Sequence, residues 1–238
     1  MTPPSFDQSH PKVIFFDAMG TLFDLKSSVG EIYQQFALKH GVKTDANSLN
    51  KAFIKSYQAA PSLAFSLHES QTFSQQEFMW WKSVVQMTFM QLEVLDRFGN
   101  FTDFFQELYQ HFATNKPWYI YPDVVPCLQY WQQQKVELGV ISNFDSRLIT
   151  ILKALDLEQF FTSTTISSVA GFAKPDHNIF KIALNKHGIV ARQAWHIGDN
   201  KNEDYLGAKN TGIHAFWLNR NCDFGNIENQ LPNLSSLG

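Results

Sequence analysis

The stretch that decides the fold is Val13-Ile14-Phe15-Phe16-Asp17-Ala18-Met19-Gly20-Thr21-Leu22. Its first four residues form a short apolar run of β-branched and aromatic side chains, which is typical of a strand buried on both faces of a parallel sheet. The run stops at Asp17, and Gly20-Thr21 would let the chain turn tightly after it. The stretch therefore predicts a strand that delivers a carboxylate to the carboxyl edge of a sheet.

Four further runs have the same apolar character. They span residues 136–141, which precede Ser142, and residues 164–166, 194–197 and 214–218. Amphipathic stretches over residues 147–155 and 178–187 lie between them, and Gly188 follows the second in the position that a helix C-terminus favours. This alternation of strand and helix predicts an α/β fold with a doubly wound, Rossmann-like parallel sheet.

Residues 23–118 have a different pattern, in which strand signals vanish and helical signals dominate. Ser28-x-x-Glu31 and Ser74-x-x-Glu77 predict two helix N-termini of the capping-box type. The residues after the second box recur every three or four positions, which indicates one buried helix face and core packing rather than a cofactor site: Phe78, Trp81, Val85, Phe89 and Leu92. The segment is predicted to be a helical cap domain inserted into a core of residues 1–22 and 119–238.

The ends of the chain and its cysteines bear on compartment. Residues 1–10 have neither the charged start nor the apolar stretch of a signal peptide, and no apolar run is long enough to span a membrane. Cys127 and Cys222 stand far apart, which predicts neither a disulfide framework nor a zinc site. We expect a cytoplasmic protein with no membrane association. The Asn-rich residues 219–238 are expected to form a surface tail.

Composition excludes several classes of protein. Of the 238 residues, 44% are hydrophobic and 17% are charged, which is too apolar for a disordered chain and too poor in charge for a coiled coil. The net charge is -3, so the basic surface that a nucleic acid requires is missing. The sequence predicts a globular protein that does not bind nucleic acid; its oligomeric state is left open.

Polar residues follow three of the predicted strands and precede one helix. Asp17 follows the first strand, Ser142-Asn143 the second, and Gly198-Asp199 a later one, with Asp204 one turn further on. Lys174 precedes a helix in the same half of the chain. Ligands of open parallel sheets bind beyond the carboxyl ends of the strands. Carboxylates, a hydroxyl, an amide and a lysine gathered there suit a hard dication and a phosphoryl group.

These residues resemble the four motifs of the haloacid dehalogenase superfamily, in the order in which that superfamily has them. The resemblance is carried by Asp17-Ala18-Met19-Gly20-Thr21-Leu22, by Ser142 at a strand end, by Lys174 before a helix, and by Gly198-Asp199-x-x-x-x-Asp204. A helical cap between the first and second motifs is typical of one branch. Most members are Mg-dependent phosphatases, so the resemblance implies hydrolysis of a small phosphorylated metabolite with Mg²⁺ as cofactor.

The resemblance also implies a role for each residue. Asp17 would be the nucleophile and form an aspartyl-phosphate. Ser142, with Asn143 as a second donor, would bind the phosphoryl oxygens, and Lys174 would contact phosphate and restrain Asp17. The ligands of Mg²⁺ would be Asp17, the main-chain carbonyl of Met19, Asp199 and Asp204. The sequence leaves open which of Glu203 and Asp204 approaches the ion. His196, inside a strand, is expected to be a core histidine.

The match breaks at Met19, where the phosphatases carry the aspartate that serves as general acid and base. A thioether cannot transfer a proton, so the usual mechanism lacks one part. Within the superfamily the nearest resemblance is to the group called haloacid dehalogenase-like hydrolase domain-containing protein 3, which also lacks this aspartate. That group shares the pair Trp80-Trp81 and the segment 142–145.

Other branches fit less well. Dehalogenases of the superfamily have an arginine near the start of the cap, whereas the first arginine here is Arg97. Phosphonoacetaldehyde hydrolysis needs a Schiff-base lysine, and nothing singles one out. Two hypotheses remain: a Mg-dependent phosphatase of reduced or specialised activity, and a catalytically weak or inactive protein that keeps the site to bind a phosphorylated ligand or a partner.

Overall fold

The computed structural model describes residues 10–66, 71–221 and 229–237. Within these residues six strands form one sheet: β1 (Val13–Phe16), β4 (Glu137–Ser142), β5 (Ser163–Ile166), β6 (Ala194–Gly198), β7 (His214–Leu218) and β8 (Gln230–Leu231). Their order is β5-β4-β1-β6-β7-β8, and every neighbouring pair is parallel. The predicted α/β fold with a doubly wound parallel sheet is confirmed.

Helices cover both faces of the sheet, and β1 is therefore buried on both of its faces. Ile14 and Phe16 face the cluster that packs against α5 (Val124–Gln133) and α6 (Arg147–Ala154), whereas Val13 and Phe15 face α8 (His177–Lys186) and α9 (Gly207–Thr211). Successive side chains of a strand point to opposite faces, so one short run holds both layers together. A short helix, α7 (Ser167–Ala170), follows β5.

The described part of the inserted segment contains four α-helices and a 3₁₀ turn over Leu95–Arg97. The α-helices are α1 (Val29–Lys39), α2 (Ala46–Ala59), α3 (Phe73–Gln91) and α4 (Phe101–His111). Ser28 and Glu31 form the predicted capping box of α1. The prediction for α3 was wrong by two residues, because Thr72 and Gln75 form its box. Glu77 is fully buried instead of capping the helix.

A two-stranded antiparallel ribbon links these helices to the sheet. It pairs β2 (Phe23–Leu25) with β3 (Trp118–Ile120), so the expectation that strands are absent from 23–118 was wrong at both ends. The ribbon forms because the chain leaves and re-enters the sheet domain side by side, which brings two short apolar segments into register. The boundaries 1–22, 23–118 and 119–238 stay a prediction about domains.

Residues 229–237 are not the surface tail that composition predicted. β8 extends the sheet beyond β7, and a 3₁₀ turn over Leu234–Leu237 follows it. Leu231, Leu234 and Leu237 are buried in the same cluster as α5. The apolar residues among the asparagines explain this packing. Cys222, and the first nine residues, lie outside the described part of the chain; Cys127 is a buried free thiol.

None of the described helices has the length and apolar character needed to cross a membrane.

Candidate active site

The carboxyl ends of β1 and β6 bring three aspartates together. Asp17 follows β1, and its main-chain N–H donates a 2.8 Å hydrogen bond to the carbonyl of Ile197 in β6. Asp199 follows β6 directly. Carboxylate oxygens of Asp17, Asp199 and Asp204 all lie within 4.8 Å of one another. The strand-end convergence that the sequence predicted is therefore present.

Two glycines make room for this cluster. Gly20 has a φ of +83°, and a Cβ there would lie 2.5 Å from Oδ2 of Asp199. A Cβ on Gly198 would lie 2.1 Å from Cγ of Asp204. Real Cβ atoms do not approach other atoms so closely, so each glycine of the two motifs admits one carboxylate to the site.

Asp204 reaches the cluster from a π-helical turn, Lys201–Leu206. The side chain of Asn200 caps this turn, and the main-chain N–H of Asn200 donates to Oδ2 of Asp204 at 3.0 Å. Glu203 lies on the same turn but accepts a 3.0 Å hydrogen bond from Asn143. The structure thus distinguishes the two acids that the sequence could not, with Asp204 in the cluster and Glu203 beside it.

Lys174 lies behind the aspartates and links two of them. Its Nζ donates to Oδ1 of Asp17 at 2.6 Å, to Oδ1 of Asp204 at 2.5 Å and to the carbonyl of Ile141 at 2.9 Å. These contacts use all three ammonium protons. The restraint of Asp17 by Lys174 is present, whereas direct contact of Lys174 with phosphate stays a prediction that would require one of these bonds to be exchanged.

Burial and charge shift the pKa values of this group in opposite directions. Burial raises the pKa of Asp17, although Lys174 opposes that effect. Burial acts in the same direction on Asp204, but Lys174 and His196 outweigh it and hold the pKa of Asp204 well below its usual range. Burial lowers the pKa of Lys174, and its two carboxylate neighbours more than reverse this. Lys174 is therefore a fixed positive charge between two acids.

The third carboxylate, Asp199, lies at the exposed side of the cluster. Partial loss of solvent, followed by repulsion from Asp17 and Asp204, raises the pKa of Asp199 to about 7. Thr21 donates a long hydrogen bond of 3.4 Å to its Oδ1. One lysine cannot neutralise three clustered acids, so this donor set fits a dication, and hard oxygen ligands suit Mg²⁺.

Ser142 is the last residue of β4 and Asn143 follows it, beside the same cluster. Within the described residues the Ser142 hydroxyl has no hydrogen-bond partner, so its proton is available to a ligand. The Asn143 amide nitrogen donates to the Lys174 carbonyl at 2.9 Å as well as to Glu203, and its oxygen accepts from the Lys174 N–H at 2.7 Å. Asn143 thus fastens the Lys174 loop to β4, and its role as a phosphate donor stays a prediction.

Met19 occupies the position between Asp17 and Gly20. Its side chain is 38% exposed and lines a cavity between the sheet and the cap helices. No acid replaces the missing aspartate within the motif.

Sequence reasoning gave His196 no role, but the structure places it against the site. It is fully buried, and its Nε2 lies 2.9 Å from Oδ1 of Asp204. Its Nδ1 has no hydrogen-bond partner among the described residues, so this core histidine is only half satisfied. The sequence did contain an indication of this contact: His196 lies two residues before Gly198 in β6, so it is on the same face of the strand as the start of the fourth motif.

The cap helices complete the cavity, which has a volume of about 400 Å³. Trp81 of α3, predicted to be pure core, lines it and donates from Nε1 to Oδ2 of Asp145 at 2.6 Å. Asp145 also accepts from Nε and an Nη of Arg147 at 2.8 and 2.6 Å. The sequence indicated the segment 142–145 but no role for Asp145, and it did not single out Arg147. Asp145 and Trp81 are 64 residues apart in the sequence, so no local pattern could indicate their contact.

Glu77 is a second link between cap and sheet. Its carboxylate accepts from the Ser146 main-chain N–H at 2.9 Å, from the Ser146 hydroxyl, and from the Ser168 hydroxyl at 2.6 Å. The sequence pattern assigned Glu77 to a helix capping box and therefore gave it no other role. Its true partners lie in the loop after β4 and in α7, which no local sequence pattern could identify.

Comparison with known proteins agrees with this geometry. A family model described as haloacid dehalogenase-like hydrolase matches residues 11–212. The Haloacid dehalogenase-like hydrolase domain-containing protein 3 of Bos taurus is 32% identical over 207 residues, which cover 86% of this chain and 80% of the relative.

Two solved structures show the same fold. A HAD phosphatase from Thermococcus onnurineus superposes with a TM-score of 0.65 at 20% identity, covering 94% of this chain and 95% of that one. The 2-haloacid dehalogenase of Pseudomonas syringae pv. Tomato DC3000 superposes with a TM-score of 0.68 at 22% identity, covering 96% of each chain. The four motifs, the parallel sheet and the match of the family model over residues 11–212 show that the chain belongs to the haloacid dehalogenase-like hydrolase family.

Proposed function

We propose that the protein is a Mg-dependent phosphatase that acts on a small phosphorylated metabolite through an aspartyl-phosphate on Asp17. The observation that carries this proposal is the cluster of Asp17, Asp199 and Asp204, with ligand oxygens within 4.8 Å of one another and Lys174 bonded behind them. A bound Mg²⁺ would supply the positive charge that lets a phosphate dianion approach these carboxylates.

The residues of the chain would divide the reaction between them. An oxygen of Asp17 attacks phosphorus, the bond from phosphorus to the ester oxygen breaks, and the alcohol leaves as its oxyanion. Lys174 holds Asp17 in place and opposes the rise in its pKa, and the free Ser142 hydroxyl donates to a phosphoryl oxygen. Water then attacks phosphorus of the aspartyl-phosphate, which releases inorganic phosphate and restores Asp17.

Because Met19 replaces the usual aspartate, this mechanism has no general acid at that position. The leaving oxyanion must take its proton from solvent, because a thioether has none to give. General acid catalysis typically contributes about 10²–10⁴-fold, so esters of poorly acidic alcohols should react slowly.

The same residue supports a second candidate function. A protein that keeps the carboxylate cluster but has Met19, 38% exposed, at the acid/base position could bind a phosphorylated ligand or a partner with little or no turnover. Retention of a lysine-restrained carboxylate at the phosphate end favours turnover, since binding alone does not need a nucleophile. We further propose a cytoplasmic protein whose partner is its small phosphorylated substrate, with no nucleic acid or membrane partner.

Release of phosphate from a panel of phosphate monoesters, with and without Mg²⁺, tests the proposal. We expect Mg-dependent turnover in the wild-type protein and none in Asp17→Asn. Asp176→Asn is the matched control, since this aspartate caps α8 outside the cluster. Phosphonate binding without turnover of any ester would favour the second candidate function, and turnover that survives in Asp17→Asn would refute the assigned nucleophile.

A further inference from the structure

We infer that the leaving group accepted by this site is a single aromatic ring or an apolar group of similar size that carries no negative charge. This inference rests on the proposed function, because it concerns what is esterified to the phosphate. It is drawn from the cavity between the sheet and the cap helices, called here the chamber.

The chamber opens beside the aspartate cluster and extends under the cap. Its volume of about 400 Å³ suits a small ester and is near the lower end of the usual range for ligand pockets. Most of its wall away from the cluster is apolar or aromatic; the residues include Tyr33, Phe53, Tyr57, Trp81, Phe105 and Trp118. They belong to the ribbon and to α1, α2, α3 and α4, so the cap surrounds the leaving group of a bound ester with apolar side chains.

The charged side chains that line the chamber outside the aspartate cluster have protein partners. Arg147 is held by Asp145 at 2.6 and 2.8 Å, and Asp24 accepts from the Tyr121 hydroxyl at 2.8 Å. Glu203 accepts from Asn143. An anionic leaving group would lose its hydration in the chamber without gaining a free cation, and it would meet Asp24 and Glu203, whose hydrogen-bond donors are neutral.

Three tyrosines offer the polar atoms that remain. Tyr33, Tyr57 and Tyr109 line the chamber, and none of their hydroxyls has a hydrogen-bond partner among the described residues. Tyr33 is only 2% exposed, so its ring is fixed by packing against Phe53 and Phe89. Three isolated hydroxyls can orient one polar substituent on a ring, but they cannot replace the water around a sugar with a hydroxyl on nearly every carbon.

Binding of phosphonates separates the fit of the chamber from leaving-group chemistry, because their phosphorus–carbon bond is not cleaved. We expect benzylphosphonate to bind the Mg-loaded protein at least about tenfold more tightly than methylphosphonate, the gain that burial of a ring against apolar walls allows after ordering costs. 3-Phosphonopropionate, with an anionic end, should bind no better than methylphosphonate. Calorimetry gives all three affinities.

Tyr57→Ala tests the wall itself. Tyr57 is 41% exposed and stacks on Trp81 with ring centroids 6.0 Å apart, so its truncation opens the chamber without emptying the core. We expect this variant to lose most of the preference for benzylphosphonate while methylphosphonate binds as before. Tyr130→Ala is the control, because Tyr130 is a similarly exposed ring on α5 outside the chamber.

The outcomes distinguish this inference from the proposed function. Equal affinity for benzyl- and methylphosphonate, unaltered in Tyr57→Ala, would overturn the inference and leave the phosphate site intact. An affinity for 3-phosphonopropionate tighter than that for methylphosphonate would overturn it too. If methylphosphonate and inorganic phosphate both fail to bind in the presence of Mg²⁺, the proposed function fails first, and the inference falls with it.

Discussion

The indole N–H of Trp81 in the cap donates a 2.6 Å hydrogen bond to Asp145, a carboxylate of the sheet side with no exposed surface. Asp145 also holds Arg147, whose guanidinium lies 3.7 Å over the ring of Tyr109 in α4 and donates to the Tyr109 carbonyl. One buried ion pair thereby joins two cap helices to the loop after β4. It also forms part of the chamber wall, so the strength of this junction and the shape of the chamber are coupled.

Trp81→Phe should lower the free energy of unfolding by about 1.5–3 kcal/mol, because a hydrogen bond to a charged group is lost. Trp80→Phe is the matched control, since Trp80 donates to the uncharged carbonyl of Pro61 and should cost only about 0.5–1.5 kcal/mol. Urea denaturation of both variants measures the difference. Equal losses would show that the charge of Asp145 adds nothing to the bond.

Glu77→Ala should destabilise the protein more than most substitutions, since it leaves the buried hydroxyl of Ser168 and two partly buried donors of Ser146 without their acceptor. Each unsatisfied donor costs about 1–3 kcal/mol. Glu77→Gln keeps one carbonyl oxygen, and the serine hydroxyls can turn to accept from its amide, so most of the stability should return. If Glu77→Gln were as unstable as Glu77→Ala in thermal or urea denaturation, hydrogen-bond satisfaction would not be the reason.

Lys174→Met removes the buried cation that two aspartates share. We expect the free energy of unfolding at pH 7 to fall by about 3–5 kcal/mol, the usual cost of leaving a buried partner charge uncompensated. Lys181→Met, on the exposed side of α8, should stay within about 0.5 kcal/mol of the wild-type protein. A small effect of Lys174→Met would mean that solvent already reaches Asp17 and Asp204.

The raised pKa of Asp199 predicts that the free energy of unfolding of the metal-free protein depends on pH. This pKa is about 7 in the folded state against the usual 3.8, so the native state holds an extra proton between these values and the free energy of unfolding falls as pH rises from 3.8 to 7. Asp17 and Glu203 shift in the same direction, and therefore the difference between the wild-type protein and Asp199→Asn isolates Asp199. Because Asp199 is exposed, solvent screens its interactions and makes the total change in the free energy of unfolding smaller than this difference in pKa would give.

The same proton competes with a cation at Asp199. Affinity for Mg²⁺, measured by calorimetry, should therefore rise with pH through about 7 in the wild-type protein and be lost in Asp199→Asn. An unchanged magnesium affinity in that variant would remove Asp199 from the site.

Met19 predicts a preference among esters. Aryl phosphates, whose leaving groups need little protonation, should be hydrolysed far faster than alkyl phosphates, and Met19→Asp should raise alkyl-ester turnover more, by at most about 10²–10⁴-fold. The wild-type comparison is decisive, since a misplaced carboxylate near Asp17 would add only repulsion. Alkyl-ester turnover of roughly 1–10³ s⁻¹ would show that another group supplies the proton.

Local patterns in the sequence were enough to predict the sheet and the position of the site. The apolar run 13–16 and those at 136–141, 194–197 and 214–218 became β1, β4, β6 and β7 with ends shifted by at most one residue. Parallel strands expose their carboxyl ends at one edge, so residues placed after them converge whatever the rest of the chain does. That is why Asp17 and Asp199 could be grouped from the sequence, whereas the choice of Asp204 over Glu203 needed the structure of the turn after β6.

Only the tertiary structure decided what depends on partners far apart in the chain. The sequence could not tell that Glu77 would be buried against Ser146 and Ser168, that Trp81 would bond Asp145, or that residues 229–237 would add a strand. An amphipathic helix shows which face it buries but not against what, because the apolar pattern is the same for a core and for a chamber wall. The sequence by itself therefore determined the carboxylate end of the site, and the packing of the cap determined the apolar end of the chamber.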